Sequence, residues 1–146
     1  MTPEAAGLER RLGHRFRDPA LLERALTHAS YANEHAPTSD NAALAFVGDA
    51  ALGLVVAEHV YAGEPEAPVG ALTPRRAETV SGANLARWAA EAGLGALLRL
   101  GRGEDLTGGR ERESVLATGL EAVLGVVYFE GGLDAVRVAV ARLALW

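Results

Sequence analysis

The chain has 146 residues, 49% of them hydrophobic and 23% charged, with a formal net charge of −5, which is about one domain's worth of chain. It has no cysteine, which excludes disulfides, Cys-ligated zinc, iron–sulfur sites and thiol nucleophiles, and it is too apolar to be intrinsically disordered. The acidic balance argues against a general polyanion binder, so any nucleic-acid contact needs local Arg clusters or a metal bridging carboxylates to phosphate.

All 14 basic residues are Arg, and Ile and Gln are absent, as in the coding bias of a GC-rich genome; an Arg here need not mark its chemistry. Every apolar run is interrupted by Asp, Glu or Arg before the roughly 18–20 residues of a membrane span. The start, MTPEAAGLERRLG, has no apolar signal core. The expectation is a cytoplasmic, single-domain protein without membrane contact.

In chain order the segments read as helices. Leu8, Leu12 and Phe16 fall at helical spacing, with Arg10, Arg11 and Arg15 on the other face. Asp18-Pro19 caps and opens the next helix, through Leu21, Leu22, Ala25 and Leu26. Residues 30–40 are polar and read mostly as loop, after which Asp40 or Asn41 caps a long segment, 42–61. Residues 64–70 form a second loop, and Thr73-Pro74 starts a helix carrying Arg75 and Arg76. Ser81 caps another helix, ended by Gly93. The glycine-rich stretch 101–109 reads as a loop, and two last helices are split at Gly131-Gly132. Without strand alternation, repeats or low-complexity tracts, the fold class is all-α, one domain over residues 1–146.

The chemical anomaly is a pair of acids. Segment 42–61 is apolar all round over its first four turns except for Asp49, and the only charge in segment 115–129 is Glu121. A helix without a polar face is normally buried, and a buried carboxylate is costly unless paired, hydrogen-bonded or metal-bound. Three readings stand. Each acid pairs with an Arg or caps a helix; or the two meet across a helix–helix interface and hold a hard divalent cation; or they lie at a subunit interface. Gly48 and Gly53 on one helix, with Gly119 and Gly125 on the other, would let the backbones approach closely.

The run Asn41 to Ala50 (NAALAFVGDA) resembles the signature helix of ribonuclease III, N-E-x-L-E-[FY]-[LV]-G-D-[AS]. Residues 8–30 resemble that family's N-terminal helices with their L-T-H-x-S end, and residues 110–125 resemble its second catalytic helix. The resemblance covers essentially the whole chain in order. It implies an all-α homodimer with a groove for double-stranded RNA, read by A-form shape, phosphates and 2′-hydroxyls. It also implies Mg2+-assisted phosphodiester hydrolysis, with Mn2+ as a substitute, Asp49 and Glu121 as catalytic residues and metal ligands, and a role in ribosomal-RNA maturation.

Residue by residue the site is reduced, because three of the five acid positions of the family are Ala42, Ala45 and Thr118. That pattern resembles the compact Mini-ribonuclease III branch, whose helices read A-L-A-Y-I-G-D and S-T-A-F-E-A-L-L-G and which has no double-stranded-RNA-binding domain, also the expectation here. The alternative is a catalytically inactive relative, an RNA-binding or ribosome-associated scaffold with a ribosomal-protein partner. Arg75 and Arg76 resemble the family's basic helix, and either contact phosphate or pair with Glu78 and its neighbours. His28 and Ser30 buttress the signature helix in preference to forming a triad with Asp49. Glu34 and Asp40 are candidate substitutes for the missing acids, and the 101–109 loop a candidate phosphate cradle lacking the G-K-[ST] ending.

Overall fold

The computed structural model describes residues 2–146, and the all-α expectation holds. In order the helices are α1 (Pro3–Leu12), α2 (Pro19–Ala25), α3 (Ala29–Glu34), α4 (Ala42–Gly63), α5 (Val69–Thr79), α6 (Gly82–Glu91), α7 (Arg102–Leu106) and α8 (Glu113–Ala144), with 3-10 turns at Leu94–Leu97 and Gly109–Glu111. Among the described residues the one β-type feature is an isolated bridge between Thr27 and Arg99.

Local chemistry sets the boundaries. The Thr2 hydroxyl accepts from the Ala5 amide and Pro3 opens α1, which Gly13 ends in the left-handed region at φ 65°. The helix therefore stops before Phe16, which packs against the core from beyond the turn. Asp18 caps α2 by accepting from Leu21, as its Asp-Pro signal implies. Residues 30–34, within the stretch expected to be mostly loop, instead belong to a short helix from Ala29, capped where the His28 ring accepts from the Ser30 amide. Asp40 accepts from Ala42 at the start of α4, while Asn41 turns inward. Pro74 lies inside α5 rather than at its start. Its ring removes one amide donor, tolerable because α5 buries no residue and water can reach the freed carbonyl. The 101–109 stretch folds into α7 and a 3-10 turn instead of an open loop.

The core is built on α4 and α8, with Leu52, Val56, Leu120, Val123, Leu124 and Val127 fully enclosed. By length and mean hydropathy (1.6), α4 is able to cross a membrane, contrary to the expectation from charge interruptions. Asp49 and Glu58 do not lower its mean enough, and its apolarity is that of a central helix seated on α8. The predicted split of the last helix falls at Gly132 (φ 71°, ψ −169°). Beside the break, the Glu130 carboxylate accepts from the Asp18 amide (2.8 Å), the Arg17 amide (3.1 Å) and His14 Nε2 (2.8 Å), which ties the α1–α2 link to α8.

Candidate active site

The site begins with two glycines. A Cβ on Gly48 would collide with the Glu121 carbonyl and lie 2.9 Å from the Gly125 nitrogen; one on Gly125 would collide with the Leu44 carbonyl. The backbones of α4 and α8 thus touch at their crossing. The expected close approach at Gly53 does not occur, since nothing lies within 4 Å of its missing Cβ, and Gly119 faces the Leu98 and Leu94 side chains rather than α4.

Next to this crossing, Asp49 on α4 and Glu121 on α8 come within hydrogen-bonding reach of each other. Asp49 is exposed and Glu121 half-buried, so the enclosed acids expected from an apolar helix are at a surface opening. The reason is that one face of α4 is uncovered: Ala42, Ala43, Phe46, Asp49, Ala50 and Leu54 are all exposed, Phe46 by 79%. Burial first, then the hydrogen bond and charge of Asp49, push the Glu121 carboxyl up to about 8.

Among the described residues neither acid has an Arg or His partner, which removes the ion-pair reading, and neither caps a helix. No third Asp, Glu or His joins them there. What neutralises the pair is a proton or a cation. The donor set fits a hard divalent cation of the Mg2+ kind, which accepts one or two protein carboxylates and fills its remaining positions with water and phosphate oxygen.

The other expected residues fall as follows. Ala42 is exposed and Ala45 buried on α4, and Thr118 is partly exposed one turn before Glu121. Arg75 pairs with Glu64 at 2.9 Å rather than with Glu78. Arg76 is exposed and, among the described residues, has no ion pair. Glu34 accepts from the Arg102 amide (2.7 Å) and Asp40 from Ala42 (3.0 Å), so both are held as helix caps and do not replace the missing acids. The amide of Gly101 is likewise taken, by Ser30 Oγ at 2.8 Å, which leaves the start of α7 poorly suited to cradle phosphate.

His28 and Ser30 bond to each other (2.8 Å) and form no triad with Asp49. Contrary to the expectation, no described hydrogen bond runs from His28 or Ser30 to α4; Ser30 Oγ accepts from Gly101, and the tie to the start of α4 comes from Asn41, whose amide donates to the Thr27 carbonyl (2.9 Å) and whose Nδ2 donates to the Ala25 carbonyl (3.1 Å). Asn41 and Thr27 are buried polar residues in this tie. In the sequence Asn41 looks like a cap; its place before a wholly apolar helix is the signal that it is an anchor.

A family model described as ribonuclease-III-like matches residues 18–145. Ribonuclease 3 of Bdellovibrio bacteriovorus is 47% identical over 131 residues, 89% of this chain and 56% of that protein. Ribonuclease 3 of Heliobacterium modesticaldum is 49% identical over 134 residues, 90% of this chain and 57% of that protein. The chain belongs to the ribonuclease III family. It spans a little over half the length of these curated relatives. A solved structure of the nuclease domain of ribonuclease III from Campylobacter jejuni superposes with a TM-score of 0.87 at 34% identity, covering 94% of this chain and 93% of that one. The stretch that resembles the ribonuclease III signature helix is therefore in α4 and the stretch that resembles the family's second helix in the first half of α8, and the two meet at Gly48 and Gly125.

Proposed function

We propose that the protein is a divalent-metal-dependent endoribonuclease that hydrolyses phosphodiesters of double-stranded RNA, with structured ribosomal-RNA precursors as substrate. The observation that carries this reading is the Asp49–Glu121 pair at the α4–α8 crossing, open to solvent and without a cationic side chain. A bound Mg2+, or Mn2+ in its place, would supply Lewis-acid activation of water and charge neutralisation at the phosphate. Asp49 and Glu121 would hold it, and Glu121 gives up its proton when it does so. Arg76, exposed without an ion pair among the described residues, is better placed than Arg75 to meet an RNA phosphate.

The uncovered α4 face supports a homodimer. The Campylobacter structure is described as having a region involved in dimer formation, and here Phe46, Ala50 and Leu54 form an exposed apolar stripe along α4. The reduced acid set resembles that of the Mini-ribonuclease III branch.

The second reading, an inert RNA-binding or ribosome-associated scaffold, is favoured by Ala42, Ala45 and Thr118 at three acid positions of the family. One experiment separates the two. Long duplex RNA is incubated at low salt with increasing Mg2+ or Mn2+, beside an EDTA control and Asp49→Asn. Metal-dependent cutting by the parent and none by a folded Asp49→Asn is the expected result. Absence of cutting at every metal concentration by folded parent protein sinks the nuclease reading and leaves the scaffold.

A further inference from the structure

A groove of about 940 Å3 lies between α1, the turn after α6 and the end of α8. None of its walls comes from α4 or from the Val115–Val127 stretch of α8, so it is separate from the two-acid opening. Its volume is that of a small-molecule site.

Three guanidiniums line it, those of Arg10, Arg11 and Arg142. Arg142 donates to the Arg10 and Arg11 carbonyls (2.6 and 3.2 Å), neutral acceptors that leave its charge unpaired. Arg10 makes no ion pair among the described residues, and its Nη2 folds back to 3.9 Å from where a Cβ on Gly7 would stand. Arg11 reaches Glu91 only at 3.4 Å, whereas Glu91 holds Arg87 at 2.8 Å, and Arg11 Nε is buried without a partner. Against these three charges stand two carboxylates, the shared Glu91 and Glu4. In a chain of net charge −5 the groove is a local excess of arginine, and the planar guanidinium fork matches phosphate oxygens.

Much of the remaining wall is apolar, and one part of it is flat. Trp146 lines the groove and is 45% exposed. The His59 ring stacks on the indole, centroids 3.4 Å apart and 3° from parallel, yet His59 is not a wall of this groove. The groove therefore meets a part of the indole that His59 leaves bare, and a nucleobase of any identity can stack on an exposed aromatic ring. Gly7 adds room. Glycine weakens a helix interior, and only Arg10 Nη2 comes within 4 Å of its missing Cβ, so no packing in the described residues requires it.

We propose that this groove binds a phosphorylated nucleoside, its phosphates on Arg10 and Arg11 and its base against Trp146. A free nucleoside diphosphate and the 5′-phosphorylated end of an RNA strand share that chemistry.

The test is isothermal titration calorimetry with adenosine diphosphate in EDTA, so that no cation at Asp49 and Glu121 can recruit phosphate. Adenosine, pyrophosphate and a short single-stranded RNA with or without a 5′-phosphate are titrated beside it. The variants are Arg10→Gln and Gly7→Leu, with helical circular dichroism and melting temperature as fold controls. The parent is expected to bind adenosine diphosphate saturably, Arg10→Gln at least about 10-fold more weakly, and Gly7→Leu not at all, because its side chain fills the groove. Adenosine and pyrophosphate should each bind at least about 10-fold more weakly than the diphosphate, having lost one half of the recognition. Tighter binding of the 5′-phosphorylated RNA than of its unphosphorylated twin and of the diphosphate assigns the groove to strand ends; tighter binding of the diphosphate assigns it to free nucleotide. No saturable binding of either by the folded parent overturns the proposal. So does binding indifferent to both variants, which lies elsewhere, or pyrophosphate binding equal to that of the diphosphate, which reports plain anion attraction. Binding that needs Mg2+ and is lost in Asp49→Asn belongs to the two-acid opening and overturns it as well.

Discussion

Glu121 carries the pH behaviour of the site. Its carboxyl loses a proton near the ordinary 4.5 when unfolded and near 8 when folded. Between those values the folded state holds more protons than the unfolded state, so stability falls as pH rises through that window and levels off above it. Half-exposure of the group keeps the effect well below that of a sealed acid. Denaturation midpoints at pH 5, 7 and 9 should decline for the parent and stay level for Glu121→Gln across the same range; parallel declines would detach the slope from Glu121. Glu130 works in the opposite sense and elsewhere on the scale. Although burial alone would raise its pKa, the bonds from His14, Arg17 and Asp18 hold it lowered, so its contribution is lost in acid, below this window. The two site acids were legible in the sequence because each is the lone charge in an apolar stretch. Their exposure was not, since an all-apolar helix does not reveal which of its faces the rest of the chain leaves bare.

Gly48 and Gly53 of α4 make opposite predictions at the scale of the helix. Gly48→Ala forces a carbon into the Glu121 carbonyl, which no rotamer relieves, and should destabilise by about 3 kcal/mol or more, at or beyond the upper range for overpacking. Gly53→Ala places a methyl in open space and should stabilise by about 1 kcal/mol through helix propensity. Urea unfolding of both variants checks this, and a tolerated Gly48→Ala would mean the helices do not meet on their backbones. The sequence showed four helical glycines as equivalent; what distinguishes them is which one faces the other main chain, a property of the crossing and not of either helix. The same holds for α5. Thr73-Pro74 looks like a helix start, yet the helix begins at Val69, because an exposed helix can include a proline that a buried one cannot.

For the whole molecule, the uncovered α4 face sets the association state. The parent should sediment as a dimer at micromolar concentration, and Phe46→Asp as a monomer with undiminished helical circular dichroism. A parent that stays monomeric throughout would assign the stripe another use. Class was readable from periodicity and the core from the two all-apolar stretches, whereas the ties across the chain were not, because they join residues more than a hundred positions apart. The Glu130 clasp is one of them. A second is Arg142, whose guanidinium donates to the Arg10 (2.6 Å) and Arg11 (3.2 Å) carbonyls at the end of α1. Together they sew the first helix and the first link to both sides of the Gly132 break, so the elements close on themselves as a ring. A ring has no loose arm to peel away, and the half of α8 beyond Gly132 cannot swing about its hinge without tearing α1 loose. The two-acid opening should therefore be lost in one cooperative event with the rest of the molecule, not by fraying that starts at α1 and works inward.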